Sequence, residues 1–351
     1  MKKVRIVGGG IAGCFTANFL KDIYEVHLYE KSNSLGGLCR TQKSLDGLYY
    51  QKTSQVIHTN DKWIIDIISK FVQLQEVIYK VAIDPLFDLR YYEFPFTPNS
   101  INSMPWHWKE AISQDLEKVK GNTASNIEDL IVNYYGKTIF NQFFSGLIKK
   151  TYGRNAKSLD HVDWFRRFLR PVEYNGYYSE RYQYFPVNIG YNTMFDKLTE
   201  GTVIHYNSDI SYRDLDPNDI IILTVRPDMF FYGEESLNYA SASFDIDSAV
   251  YDKRKSDTVF FPNHTPFLSI TQSGNFFNKE KNIVVKQIPK GEDLTYPIPK
   301  KRNLKKFKLI QQEFSNVYFA GRFGSFNDMD IADIVRQTNQ IAAKIKHMRR
   351  L

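Results

Sequence analysis

The chain has 351 residues, 42% of them hydrophobic, 24% charged and 15% aromatic, with a formal net charge of +7. This is enough apolar material for a large core in about two or three domains, and it excludes a disordered, collagen-like or disulfide-stapled protein. Basic residues gather at Lys300, Lys301, Arg302, Lys305, Lys306 and Lys308, and again at His347, Arg349 and Arg350. No nucleic-acid motif accompanies them, so the charge reads as a solvated face or as a pocket for a phosphorylated small molecule. The two cysteines, Cys14 and Cys39, have neither zinc-ligand spacing nor a disulfide framework, which suits a reducing, cytoplasmic setting. No apolar run approaches the roughly 18 residues of a membrane span, and the first residues read as a strand, not a signal peptide.

The stretch Lys3 to Glu30 comes first in the chain and organises the rest. Val4, Ile6 and Val7 read as a strand, and Ala12, Phe15, Phe19 and Leu20 fall at helical spacing. Val26 to Tyr29 reads as a second strand. Gly8, Gly10 and Gly13 form G-x-G-x-x-G between the first strand and the helix, the context a dinucleotide fingerprint requires. Gly8 permits the tight turn, Gly10 lets the backbone approach a pyrophosphate, and Gly13 lets helix pack on strand. The helix N-terminus then offers unpaired N–H groups to the phosphates. Glu30 closes the second strand, where an acid accepts hydrogen bonds from an adenosine ribose.

A second glycine pair, Gly36-Gly37, follows, with Arg40 behind it. Tyr49 to Ile57 looks extended, and His58 to Asp61 reads as the cap of a helix over Lys62 to Phe71. Residues 75 to 97 turn around Pro85 and Pro95 as in a hairpin. Helical periodicity then runs over Trp106 to Lys120, Ser125 to Tyr135 and Lys137 to Lys150. Tyrosines crowd residues 172 to 186. Tyr191 to Leu198 reads as a helix, and Val203 to Tyr206 and Ile220 to Thr224 as strands. Strand-like runs with turns over Ala240 to Val285 suggest an antiparallel sheet. The end returns to α/β: a strand at Asn316 to Ala320, a turn at Gly321 to Gly324, and an amphipathic helix over Ile331 to Met348.

In order along the chain stand GGGIAG with Glu30 and Gly36-Gly37, VIHTN (56–60), YEFPF (92–96), FFSGLIKKTYG (143–153) followed by Arg166, Arg170, Tyr177 and Pro186, TVRPDMFF (224–231), LNYASASFD (237–245), LTYPI (294–298) and AGRFGSFNDMD (320–330). With these blocks the chain resembles the flavin-dependent UDP-galactopyranose mutases nearly end to end. The resemblance implies an α/β protein with a Rossmann-like FAD-binding domain, an inserted helical domain and a twisted antiparallel sheet. On this chain they fall at 1–75 plus 187–232 plus 303–351, at 98–165, and at 76–97 plus 166–186 plus 233–302. It implies an isomerase that contracts the sugar ring of UDP-galactose, or another UDP-hexose, to the furanose used in cell-surface polysaccharides. The route implied is a covalent adduct of the anomeric carbon with N5 of reduced FAD. An external reductant, NAD(P)H or a flavin reductase, keeps the flavin reduced, and the family is often homo-oligomeric.

The resemblance also implies roles for residues. Arg166 falls on a diphosphate arginine and Tyr177 and Tyr296 on diphosphate tyrosines; with Arg322 they are the expected catalytic set. Phe143 and Phe144 match the uracil-binding part of the helical domain. Tyr152, Arg170, Tyr182 and Asp328 complete the expected substrate contacts. FAD is expected against Gly8, Gly10, Ile11, Ala12, Gly13, Glu30, Lys31, Gly37, Leu38, His58, Gly321, Arg322, Asp328 and Met329. No metal is expected. Helix capping is the plainer reading of Asp328 or Asp330.

The pattern is broken near the substrate. Ser269 and Ala240 stand where the family has arginines, Gln55 where it has a histidine near the flavin, and Leu147 where it has a tyrosine beside the uracil aromatics. The loop before Asp328 is shorter, leaving Phe326 for a missing tyrosine, and Arg226, Lys286 or Arg254 is left to replace the lost arginine at Ser269. These changes imply a remodelled sugar or nucleotide pocket. The alternatives are a flavin oxidase or dehydrogenase of the amine-oxidase kind, which shares the FAD domain, and a non-catalytic relative that binds FAD or UDP-sugar.

Overall fold

The computed structural model describes residues 3–87, 90–118, 123–160, 176–249, 256–273, 276–277 and 282–348. Arg166, Arg170 and Arg254 lie outside them. The chain divides into two units: Met1–Val77 with Glu180–Asn238 and Leu304–Leu351, and Ile78–Ser179 with Tyr239–Asn303.

The first unit is built on a five-stranded parallel sheet in the order Val203–His205, Glu25–Tyr29, Lys3–Val7, Ile220–Leu223, Val317–Phe319. Parallel strands are covered on their faces, so the inner ones need apolar residues in succession. Ile221, Ile222 and Leu223 supply such a run, all fully buried. The helix Ile11–Leu20 follows the first strand directly. Nearly all its residues are buried, between the sheet and the helix Ile331–Met348. The latter closes the unit with Ile331, Ile334, Val335, Thr338, Ile341, Ala342 and Ile345, a one-sided stripe at helical spacing. A smaller antiparallel sheet pairs Tyr182–Pro186 with Ile57–Thr59 and with Leu74–Glu76. The basic run around Lys305 forms a helix, Lys301–Glu313, which its charge density hides in the sequence. Phe307 anchors it, packing against Phe319 and Phe326.

The second unit holds a seven-stranded sheet ordered Asp293–Pro297, Tyr239–Ala249, Asn282–Pro289, Ser269–Gln272, Thr258–Phe260, Val81–Ile83, Tyr92–Glu93. All pairs are antiparallel except Thr258–Phe260 with Val81–Ile83, which run parallel. The expected hairpin around Pro85 is thus the short pair Val81–Ile83 and Tyr92–Glu93.

Among the described residues the α-helices here are Pro98–Asn102, Trp106–Lys118, Ile127–Ile139 and Ser145–Tyr152, the last two joined by a π-helical turn, Phe140–Phe144. Gly136 breaks the middle helix at φ 86°, where a side chain would strike Asp115 at 2.6 Å. Asp115 uses its carboxylate to accept from the freed Thr138 N–H at 2.6 Å. The π turn loosens the helical hydrogen-bond ladder in the same way, and Asn263 donates to Gln142 O at 2.9 Å.

Candidate functional site

In the first unit, three glycine-bearing turns meet. Gly8 adopts φ +101°, and Thr224 clamps the turn by donating from Oγ1 to Val7 O at 2.8 Å and Gly8 O at 3.1 Å. A Cβ on Gly13 would lie 2.0 Å from Gly8 O, so only glycine lets the helix start this close to the strand. Gly10 is the helix N-cap with no side-chain cap, which leaves the first N–H groups without a side-chain acceptor. It bridges Gly36, whose φ is +109°, and Gly37 stands 3.5 Å from the Gly10 Cα by the position of an added Cβ. A Cβ on Gly10 itself would enter open space. Gly321, at φ +71°, packs onto Ala12, so the late Ala-Gly-Arg-Phe-Gly turn joins the same place.

Both Glu30 oxygens take a backbone N–H, from Gly9 and from Ser32 at 2.8 Å each. Each oxygen keeps a second acceptor position. The open approach at Gly10, the uncapped helix and the anchored acid together fit a dinucleotide diphosphate and its ribose. Among the other expected cofactor residues, Ile11 and Ala12 are buried, Leu38 lies in the Gly37–Cys39 turn and Lys31 is exposed.

Arg322 donates from Nε and Nη2 to Met329 O at 3.1 and 2.7 Å and stands 3.7 Å from Asp328, whose side chain is buried. Its charge also reaches Cys39. The plainer capping role belongs to Asp330, which accepts from Asp333 N at 2.8 Å; Asp328 instead pairs with Arg322. His58 sits between Glu180 (3.3 Å) and Asp330 (3.6 Å). Asp61 does not cap the Lys62–Ile68 helix with its side chain, because Arg336 takes that carboxylate at 2.6 Å. Gln55 donates to Thr53 and faces the Cys39 thiol, while its carbonyl accepts from Tyr191. Burial pushes Cys39 up to about 12 and raises Tyr191 as well. Tyr182 pairs across from Thr59 in the small sheet, with the Arg181 guanidinium 5.3 Å from its ring.

In the second unit, one face of the large sheet collects the polar candidates. Residues directly opposed on neighbouring strands share a face. Phe260 opposes Ser269, Ser269 opposes Gln287, and Gln287 opposes Phe244. Ala240 stands an even number of residues from Phe244 and opposes Tyr296, which puts Tyr296 on the same face. Tyr177 covers the far end, 6.3 Å from the Phe94 ring, itself 6.0 Å from Phe260. Tyr79 supports it, with its hydroxyl 2.7 Å from Thr258 and its ring edge-on to Tyr177. Tyr152 lies beside Tyr296, ring centroids 6.4 Å apart.

Two expectations are corrected here. Phe143 and Phe144 are 0% exposed. Phe143 is enclosed by Tyr92, Phe96 and Trp108, and Phe144 by Phe94, Phe96 and Tyr135, so they hold the helices together and show no ring face to a base. Phe326 is likewise buried, against Phe307, and does not take the place of the missing tyrosine. Sequence reasoning missed Thr224, which directly follows the strand Ile220–Leu223; only the pairing of that strand with Lys3–Val7 brings its hydroxyl to Val7 O and Gly8 O.

A family model described as UDP-galactopyranose mutase matches residues 142–327, more than half of the chain. The chain belongs to the UDP-galactopyranose mutase family. Membership makes it an isomerase of the sugar-mutase kind. A model of NAD(P)-binding Rossmann-like domains matches residues 6–71, over the glycine turns and the ribose acid. The chain is 20% identical to the dTDP-fucopyranose mutase of Escherichia coli, over 97% of this chain and 98% of that one. It is also 20% identical to a probable UDP-galactopyranose mutase of Klebsiella pneumoniae, over 98% and 96%. The solved structure of a reduced UDP-galactopyranose mutase superposes with a TM-score of 0.83 at 17% identity, covering 99% of this chain and 96% of that one. An oxidoreductase from Methanosarcina mazei aligns less closely, at 0.63 and 11% identity over 97% and 100%. At such identities the structural likeness is one of fold, which for this mutase-family chain is mixed α/β with a Rossmann-like domain.

Proposed function

We propose that this member of the family interconverts the pyranose and furanose forms of a nucleotide hexose, with reduced FAD as cofactor. The observation that carries the reading is the family match over residues 142–327, which spans the tyrosine-bearing face of the second unit. Reduced FAD, when bound, supplies a nucleophilic nitrogen, N5, for the sugar's anomeric carbon and is not consumed.

The chain's own residues do the rest. The uncapped helix at Gly10 and the Gly36-Gly37 turn hold the cofactor's pyrophosphate, and Glu30 takes its ribose. Arg322, braced by Met329 O and Asp328, keeps a fixed positive charge beside the Gly37–Cys39 turn. Tyr177 and Tyr296 donate hydrogen bonds to the substrate diphosphate, where negative charge grows as the bond to the sugar breaks. Arg166 adds a planar cation that binds two phosphate oxygens at once and keeps its charge. The reductant comes from outside the chain, as NAD(P)H or a flavin reductase, in the reducing cytoplasm that two free thiols suit.

A nucleotide other than UDP is the second reading. It is favoured by Ser269, Ala240 and Leu147, which depart from the family pattern, and by likeness to a relative named for dTDP-fucopyranose. The test incubates flavin-loaded, dithionite-reduced protein with a panel of UDP- and dTDP-hexoses and separates furanose isomers by chromatography. One sugar should give a furanose product without stoichiometric use of reductant. No isomer from any sugar, with flavin bound, ends the mutase reading.

A further inference from the structure

We propose that Gln287, aligned by Ser269, donates to the substrate diphosphate at the place where the family pattern calls for an arginine. This rests on the nucleotide-sugar reading above and names a residue for it.

Two of the cations available to replace that arginine are placed elsewhere. Lys286 opposes Ile270 and Asp245, so it emerges on the other face of the sheet from Ser269, and its ammonium is held by Asp247 at 2.8 Å. The Arg226 guanidinium is taken by Asp228, Glu235 and Leu237 O. Arg254 lies outside the described residues.

What stands across from Ser269, on the face that carries Tyr177 and Tyr296, is Gln287. Ser269 is only 3% exposed, too enclosed to meet a ligand itself. Its hydroxyl donates to Gln287 Oε1 at 3.4 Å. With the amide oxygen turned to the serine, the two N–H groups of Nε2 are left for another acceptor. Gln287 is half-buried, unlike the enclosed Ser269 beside it.

An N–H donor to a phosphate oxygen is a charge-assisted hydrogen bond, stronger than a neutral one though lacking arginine's full charge. Gln287 is therefore a substrate-contacting residue and Ser269 a positioning residue. A carboxylate of the same shape in place of Gln287 could only accept, and would repel the diphosphate.

The test titrates flavin-loaded, full-length protein with UDP and with dTDP. Gln287→Glu should weaken binding of the preferred nucleotide by about 50-fold or more, and Gln287→Ala by about 10-fold. Ser269→Ala should cost about 3-fold and Ser269→Thr, which keeps the hydroxyl, should restore wild-type affinity. Flavin content and melting temperature should stay at wild-type values throughout, which a merely structural role for either residue would not allow. Unchanged nucleotide affinity in folded, flavin-loaded Gln287→Glu overturns the role of Gln287 and leaves the mutase reading standing. Wild-type protein that binds neither nucleotide overturns both.

Discussion

The two candidate sites are built by different means, and the departures from the family pattern at Ser269 and Ala240 fall in the second of them. In the first unit the backbone forms the candidate site. The groups that matter are N–H donors at the start of a helix, glycines with no side chain to spare, and one acid tied to the loop by two N–H groups. Such a site has few solutions, because an added Cβ would clash at most of these glycines, at Gly13 with the Gly8 carbonyl and at Gly8 and Gly36 with the side chains of Thr224 and Phe195. In the second unit, side chains standing on a sheet face form the candidate site. A strand keeps its hydrogen bonds whatever its side chains are, so Ser269, Ala240 and Gln287 can change while the sheet stays in register.

The contrast can be broken at its strongest point. Gly13→Ala places a Cβ 2.0 Å from Gly8 O and should cost most: expression without bound flavin, or no folded protein at all. Absorbance of the purified protein near the flavin bands reads this directly. Arg166→Ala should come next, with turnover lower by about 10²–10³-fold and flavin retained, since oxyanion-type contacts of this kind carry that much. Near-normal turnover would remove Arg166 from the diphosphate site. Gly10→Ala sharpens the comparison. Its backbone is extended and its new methyl meets no protein atom, so the fold should survive with little change in melting temperature. The methyl instead occupies the ligand's approach, and FAD affinity should drop by about 10-fold or more. Wild-type affinity would mean that the diphosphate lies elsewhere.

The smallest effect is a pH dependence. Burial raises the Cys39 thiol from 9.0 to about 12. The folded protein therefore keeps a proton that the unfolded chain releases, and the stabilisation is complete below about pH 9 and lost as pH rises toward 12. Cys39→Ala should flatten the fall in denaturation midpoint across that window. The native thiol should also resist alkylation at pH 8 until the chain is unfolded.

Much of the first unit was legible because its signals are local. The glycine fingerprint, the alternation of strand and helix, and the 3.6-residue stripe from Ile331 to Ile345 are each set by neighbours within a few turns. The helix Lys301–Glu313 was hidden because charge masks the few residues, Phe307 and Ile310 among them, that bury it. Phe143 and Phe144 misled for a related reason. Aromatics at helical spacing serve equally as stacking platforms or as core, and the difference depends on Tyr92, Phe96 and Trp108, which arrive from distant segments.

By itself, then, the sequence pointed to a Rossmann-like dinucleotide-binding turn behind the first strand, because the spacing of Gly8, Gly10 and Gly13 between a strand and a helix matches what that turn requires, and a Rossmann-like family model covers it. Its ordered blocks pointed to the mutase family as well. Only the tertiary structure decided which side chains share a face: that Lys286 turns away from Ser269, that Gln287 turns toward it, and that Asp328 serves Arg322 while Asp330 caps a helix. Strand register is a long-range property, and a shift of one residue would have reversed every one of the sheet assignments.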